Sequence, residues 1–157
     1  IKFIKEADRI IFLYSVSEPV CMHQLKECEI IPGEMQEFRE FGIRCFSEVI
    51  NGNIESLKKE LINESEAYID FDKIKPPLKV RIWQKNKGEK FYPLGASGSK
   101  KIHDFFIDNK IPQSLRYKIP LFSDSEKIIW IGKYRVDDRV KVDLNTKRIL
   151  HIKIFNI

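Results

Sequence analysis

Between Arg81 and Arg139 the chain is cut into short pieces by residues that regular structure does not tolerate. This punctuation limits the fold more than any other feature of the sequence. Pro93-Leu94-Gly95 makes a turn, Gly95-Ala-Ser-Gly-Ser99 a loop, and Pro112, Pro120 and Gly132 interrupt the segments after the loop. Proline is excluded from helix interiors and central strands, whereas glycine serves turns, bulges and close backbone approaches. The spacing of Ile102, Phe105 and Phe106 predicts one amphipathic helix, with Ser99 as its cap. Pro112 opens a second short helix that Pro120 stops.

The rest of the chain reads mainly as strands. Arg9 to Tyr14, Phe41 to Ile50, Tyr68 to Phe71 and Leu78 to Trp83 are strand segments, and a short helix is expected over Ile54 to Ile62. In Leu78 to Trp83, alternation puts Leu78, Val80 and Ile82 on one face and Lys79, Arg81 and Trp83 on a basic one. Further strands are expected at Ile119 to Ser123, Lys127 to Ile131, Tyr134 to Val136, Val140 to Leu144 and Arg148 to Phe155, with turns at Asp124-Ser-Glu126, Asp137-Asp138 and Asn145-Thr146. The fold class is α/β in the α+β sense: a small, mostly antiparallel sheet or sandwich with two short helices.

Charge divides the chain. Residues 1–78 hold 10 Lys and Arg against 15 Asp and Glu, and residues 79–157 hold 18 against 8. With Pro76-Pro77 at the change of sign, the expected organisation is an acidic strand and helix segment over 1–72, acting as linker or docking layer, and a basic domain over 73–157. A basic half facing something anionic is the functional reading of that asymmetry, and mutual attraction of the halves is the alternative. No apolar run approaches the ~20 residues of a membrane span. Three cysteines, Cys21, Cys28 and Cys45, cannot all pair, which suits a reducing, cytoplasmic setting. Cys21, His23 and Cys28 lack a second pair at zinc spacing, so free thiols are expected and no metal. A chain that opens on Ile1 fits a piece of a longer protein.

The loop before the first helix is the strongest chemical signal. Glycines at a helix start leave N–H groups that attract anions, and Lys100 and Lys101 in a first turn oppose the helix dipole unless an anion is near. Gly95 to Gly98 is too short for a nucleotide-binding P-loop, and Lys101 is followed by Ile102 rather than Ser or Thr. A nucleic-acid phosphate is the better match, and a tight turn with solvated lysines is the alternative. Lys79, Arg81, Lys85, Lys87 and Lys90 precede the loop and Lys110, Arg116 and Lys118 come after it, so one basic patch is expected if these ends meet. Arg135 and Arg139 flank Asp137-Asp138, where an internal Arg–Asp clamp and an RNA contact both fit. The paired carboxylates Asp104 and Asp108 sit among basic neighbours and are read as ion pairs; no nucleophile–base set stands out, so catalysis is not expected of this chain.

In order and spacing, Pro93-Leu-Gly95, Gly98-Ser-Lys-Lys101, Asp104-Phe-Phe-Ile-Asp108, Lys110-Ile-Pro112, Arg116, Pro120-Leu121, Trp130, Gly132 and Arg135-Val-Asp-Asp-Arg139 form one pattern. It resembles the C-terminal domain of bacterial tRNA(Ile)-lysidine synthetases, over roughly residues 68–155 and more faintly over 8–50. One departure is Gly88-Glu-Lys90, where the family usually has Gly-Asp-Arg; Lys90 keeps the charge of arginine without its bidentate fork.

The resemblance implies a fold shared with the phenylalanyl-tRNA synthetase β chain. It also implies a non-catalytic clamp on the acceptor stem of isoleucine tRNA, within a ligase that attaches lysine to the wobble cytidine. ATP, magnesium and lysine are implied for the whole enzyme's ATP-pyrophosphatase domain and no cofactor for this chain. Expected RNA contacts are Arg81, Lys85, Lys87, Lys90, Ser99, Lys100, Lys101, Arg116, Lys118 and Arg139. Structural roles fall to Gly88, Pro93, Gly95, Gly98, Pro112, Pro120, Trp130, Gly132, Arg135 and Asp137. Expected partners are tRNA, the rest of the same polypeptide and, as a further assembly, a second copy, with no membrane. The alternative function is a protein-interaction domain docked on the catalytic domain or on an acidic partner.

Overall fold

A computed structural model describes residues 2–6, 9–13, 27–57, 63–85 and 87–157. Strands β1 (Lys2–Glu6) and β2 (Arg9–Leu13) form an antiparallel hairpin. Then come β3 (Cys28–Glu29), β4 (Met35–Phe38), β5 (Ile43–Asn51), β6 (Glu66–Asp70) and β7 (Lys79–Ile82). Next are β8 (Lys90–Phe91), β9 (Lys100–Lys101), helix α1 (Ile102–Asp108) and helix α2 (Gln113–Arg116). The chain finishes with β10 (Pro120–Ser123), β11 (Ile128–Ile131), β12 (Arg135–Val136) and β13 (Arg148–Asn156).

Two antiparallel sheets carry the architecture. One has the order β4-β5-β13-β6 and the other β12-β11-β10-β7-β3. The two-residue period of β13 buries Leu150, Ile152 and Ile154 and leaves His151, Lys153 and Phe155 half-exposed. The inward residues meet Val80, Phe122, Ile129 and Trp130 of the second sheet in one core. Phe122 and Trp130 stack with ring centroids 4.8 Å apart, an arrangement that contributes ~1 kcal/mol beyond its buried area. Cys45 lies in this core, where burial pushes its thiol up to about 12 and keeps it un-ionised. Among the described residues no His, Cys, Asp and Glu gather to hold a metal ion; Cys21 and His23 lie outside those residues. Among the described residues no helix is long and apolar enough to cross a membrane.

The other face of the second sheet is covered by α1. Leu121, Ile128 and Ile131 pack there against Ile102, Phe105, Phe106 and Trp83 in a second core. This layer overturns the expected basic face of Leu78 to Trp83. On the side expected to be open, Arg81 is only 3% exposed and Trp83, just after β7, is buried edge-on to Phe106 at 5.1 Å; Lys79 alone stays half-exposed. Alternation shows which residues share a face, and a layer from elsewhere in the chain decides whether that face sees water.

Three other expectations change. The boundary at 72/73 does not separate two cores, because β13 lies between β5 and β6 and β3 pairs with β7. In place of a helix from Ile54 there is a 3-10 turn, Ile54–Ser56, whose Glu55 N–H bonds the Asn53 side chain; residues 58–62 lie outside the described part. A strand over Val140 to Leu144 is absent. The Asp137 and Asp143 carboxylates accept the N–H groups of Arg139 and Asn145, and these local bonds compete with a sheet ladder.

Candidate nucleic-acid interface

After β7 the chain turns through Gly88, at φ 63°, into β8. Phe91 of β8 is fully buried and meets Phe105 of α1 edge-to-face at 5.1 Å, which anchors this short strand. Its partner is β9, with Lys90 opposite Lys101 and Phe91 opposite Lys100. Lys90 and Lys101 are both exposed, and neither has an ion-pair partner among the described residues. Like charges directly across an antiparallel pair repel. Lys85 and Lys87 are exposed just ahead of this pair.

The Pro-Leu-Gly turn comes next. Ala96 N–H donates to the Pro93 carbonyl at 2.9 Å, and Gly95 has φ 82° at the third position, as a type II turn requires. The segment is tied to the chain around Asp137. Leu94 N–H donates to Val136 at 3.0 Å and Asp138 N–H to the Tyr92 carbonyl at 2.6 Å. The buried Asp137 carboxylate accepts the Tyr92 N–H and holds Arg139 through Nε and Nη2, each at 2.9 Å. The Arg139 guanidinium lies 4.4 Å from the centre of the Tyr92 ring. Beside the turn, residues 93–100 with Phe105, Asn109 and Arg135 line an open cleft of about 480 Å³.

Several expected contacts are placed differently. Ser99 is exposed but does not cap α1: the helix starts at Ile102, whose N–H donates to Glu89 at 2.9 Å, and Lys101 stands at the cap without a side-chain bond. Pairing with β8 draws Lys100 and Lys101 into a strand, so the helix-start argument for an anion does not hold there. Lys100 pairs with Asp108. Arg81 is not on the surface; it pairs with Glu89 and lies 3.7 Å from Glu27. Arg116, half-buried, donates Nε to the Ile111 carbonyl at 3.0 Å and steadies the turn between the helices, while Lys118 is exposed. The Arg–Asp clamp is made by Arg139; Arg135 instead donates to the Leu94 carbonyl at 3.1 Å.

The residues expected to be structural mostly sit at packing or turning points. Pro112 stands at the N-cap of α2, Pro120 begins β10, and Trp130 is in the first core. A Cβ on Gly132 would come within 2.6 Å of Pro120 Cγ, whereas one on Gly98 would meet nothing within 4 Å. Two residues enter the site in roles the sequence did not assign: Glu89 as the partner of Arg81, and Tyr92 as the ring under Arg139. The alternation of β8 is a usable signal for Tyr92, since it turns away from the buried Phe91.

Residues 78–153 match the family model described as TilS substrate C-terminal domain. That match spans just under half of the chain. Over 131 residues the chain is 40% identical to a tRNA(Ile)-lysidine synthase of Clostridium tetani, covering 77% of this chain and 27% of the relative. Over 87 residues it is 41% identical to the synthase of Dehalococcoides mccartyi, covering 55% and 18%. The chain thus spans about a quarter or less of the length of these relatives. A crystal structure of a TilS C-terminal domain superposes with a TM-score of 0.70 at 18% identity, over 85% of this chain and 98% of that one. An N-terminal fragment of the phenylalanyl-tRNA synthetase β-subunit from Pyrococcus horikoshii gives 0.54 at 20% identity, over 70% of this chain and 38% of that one. These likenesses give the fold: a small α+β domain of antiparallel sheets and two helices.

Proposed function

We propose that this chain is the tRNA-docking part of a cytoplasmic tRNA(Ile)-lysidine synthase, holding the acceptor stem of isoleucine tRNA while the ATP-dependent chemistry takes place on another part of the enzyme. The observation that carries this reading is Lys90 standing opposite Lys101 in β8 and β9, both exposed and without an ion-pair partner among the described residues. Backbone pairing sets two like charges on directly opposed positions, and an anion that bridges them relieves their repulsion. An RNA backbone supplies phosphates in series, and A-form RNA is recognised through its backbone and shallow minor groove. Lys85 and Lys87 extend the charge toward β7. The relatives named as tRNA(Ile)-lysidine synthases supply the RNA.

Competition tests the choice of stem. With labelled isoleucine tRNA bound to the protein, an acceptor-stem minihelix is expected to displace it at a concentration close to that of unlabelled tRNA. The anticodon hairpin of the same tRNA is expected to need at least tenfold more. Equal or better competition by the hairpin contradicts an acceptor-stem clamp.

A further inference from the structure

A second concave surface lies beside the Gly/Ser-loop cleft. It measures about 550 Å³ and is lined by Leu115, Lys118, Pro120, Lys133 and Tyr134 together with the segment 40–43 and the last two residues. Tyr134 connects the two clefts. Its ring packs perpendicular to Phe105 at 6.5 Å, Phe105 lines the loop cleft, and the next residue, Arg135, lines it too. Phe105 is buried, which holds the contact in place, whereas Tyr134 remains 43% exposed.

The chemistry on either side matches. Lys118 and Lys133, the latter bonded to the Asn156 side chain, line one cleft; Arg135, which donates to the Leu94 carbonyl, and Lys100, paired with Asp108, line the other. Glu40 is the single carboxylate side chain among the described residues lining the larger cleft. Lys133 adopts φ 66°, a conformation rare for a side-chain-bearing residue, in the turn that presents Tyr134. Burial and the nearby Glu64 carboxylate raise the tyrosine hydroxyl above its ordinary range, so the ring is a neutral phenol at physiological pH. A fixed, partly exposed aromatic ring between two sets of cations is the arrangement that single-stranded nucleic acid uses: bases stack on the ring and phosphates run along the charges. Inside a duplex the bases are already stacked on each other and offer no free face to such a ring.

We propose that Tyr134 is a stacking platform for an unpaired nucleotide that continues from the duplex held at Lys90 and Lys101. This rests on the RNA reading above and names a second class of contact within it.

The test uses the whole 157-residue chain and two RNAs: a blunt acceptor-stem duplex, and the same duplex with a 3′ single-stranded extension carrying 2-aminopurine at its first unpaired position. The extension is expected to raise affinity by about tenfold and to quench the 2-aminopurine. Tyr134→Ala is expected to lose both effects while still binding the blunt duplex, and Tyr134→Phe, which keeps the ring, to retain both. An extension that adds no affinity while the blunt duplex binds overturns the platform and leaves the RNA reading standing. So does an extension that helps Tyr134→Ala as much as the parent. Failure of the parent protein to bind either RNA overturns both.

Discussion

The Asp137 carboxylate grips the Arg139 guanidinium in two contacts of 2.9 Å, and the same two oxygens accept the N–H groups of Tyr92 and Arg139. One buried carboxylate therefore joins the Pro-Leu-Gly segment to the turn after β12. Asp137→Asn removes the charge and half of the acceptor capacity. Breaking a buried pair costs roughly 3–5 kcal/mol, and the partial exposure of Arg139 brings the expected loss to about 2–3 kcal/mol. Urea unfolding checks the stability. The Leu94 and Asp138 amides should exchange hydrogen faster than in the parent, and unchanged exchange there contradicts the role given to Asp137.

Gly132 and Gly98 are expected to respond in opposite ways to the same substitution. At Gly132 an added methyl meets Pro120 Cγ at 2.6 Å, the Pro120 carbonyl at 3.0 Å and Ile154 Cδ1 at 3.1 Å, between two sheets that cannot move apart freely. Gly132→Ala should destabilise by about 1–3 kcal/mol. Gly98→Ala meets open space and should leave the melting temperature within about 2 °C. Thermal unfolding of the two variants beside the parent decides it.

Arg81 separates a stabilising charge from a binding one. Because it is buried against Glu89, Arg81→Met should cost about 3 kcal/mol by leaving a half-buried carboxylate without its partner. The double variant Arg81→Met/Glu89→Gln should recover a large part of that. At a temperature where both variants are folded, tRNA affinity should change with salt as it does for the parent. A flatter salt dependence in Arg81→Met would return this residue to the RNA surface.

Acid stability should depend on Glu66. Burial alone would raise its carboxyl, but hydrogen bonds from Lys153, Tyr68, Asn63 and His151 outweigh it and bring the group to about 2 from an ordinary 4.5. The unfolded chain therefore binds this proton first as pH falls. The contribution of Glu66 is fully present above about pH 4.5 and is lost as the pH falls toward 2. It amounts to ~2–3 kcal/mol. Glu66→Gln should be less stable than the parent at pH 7 by about that amount, and the two denaturation curves should converge near pH 2. A difference that stays constant with pH contradicts it.

Local patterns in the sequence hold where neighbours along the chain decide the outcome. The alternation of β13, the turn at Pro93-Leu-Gly95 and the apolar stripe of α1 all appear as the residues suggest. The departures come from contacts distant in sequence. The ladder between β8 and β9 pulls Lys100 and Lys101 out of the helix and sets Lys101 against Lys90. The helical layer buries Trp83, and Arg81 is buried in its pair with Glu89, although alternation alone places both on an open face. β13 enters between strands of the first half and removes the boundary that charge and prolines mark. The Arg–Asp clamp is legible as a kind of contact, but which arginine makes it depends on the 3-10 turn at Asp138–Val140.

The central claim is that the facing pair Lys90 and Lys101 binds RNA phosphates. Its most direct test is the dependence of isoleucine-tRNA affinity on salt, measured for the parent and for Lys90→Ala/Lys101→Ala. Each phosphate contact contributes roughly 0.7–0.9 to the slope of log K against log salt. The variant is predicted to bind more weakly, with a slope shallower by roughly 1.4–1.8. Equal slopes for the two proteins, or binding that salt does not weaken, would contradict the claim and move the weight to docking of this domain against another protein surface.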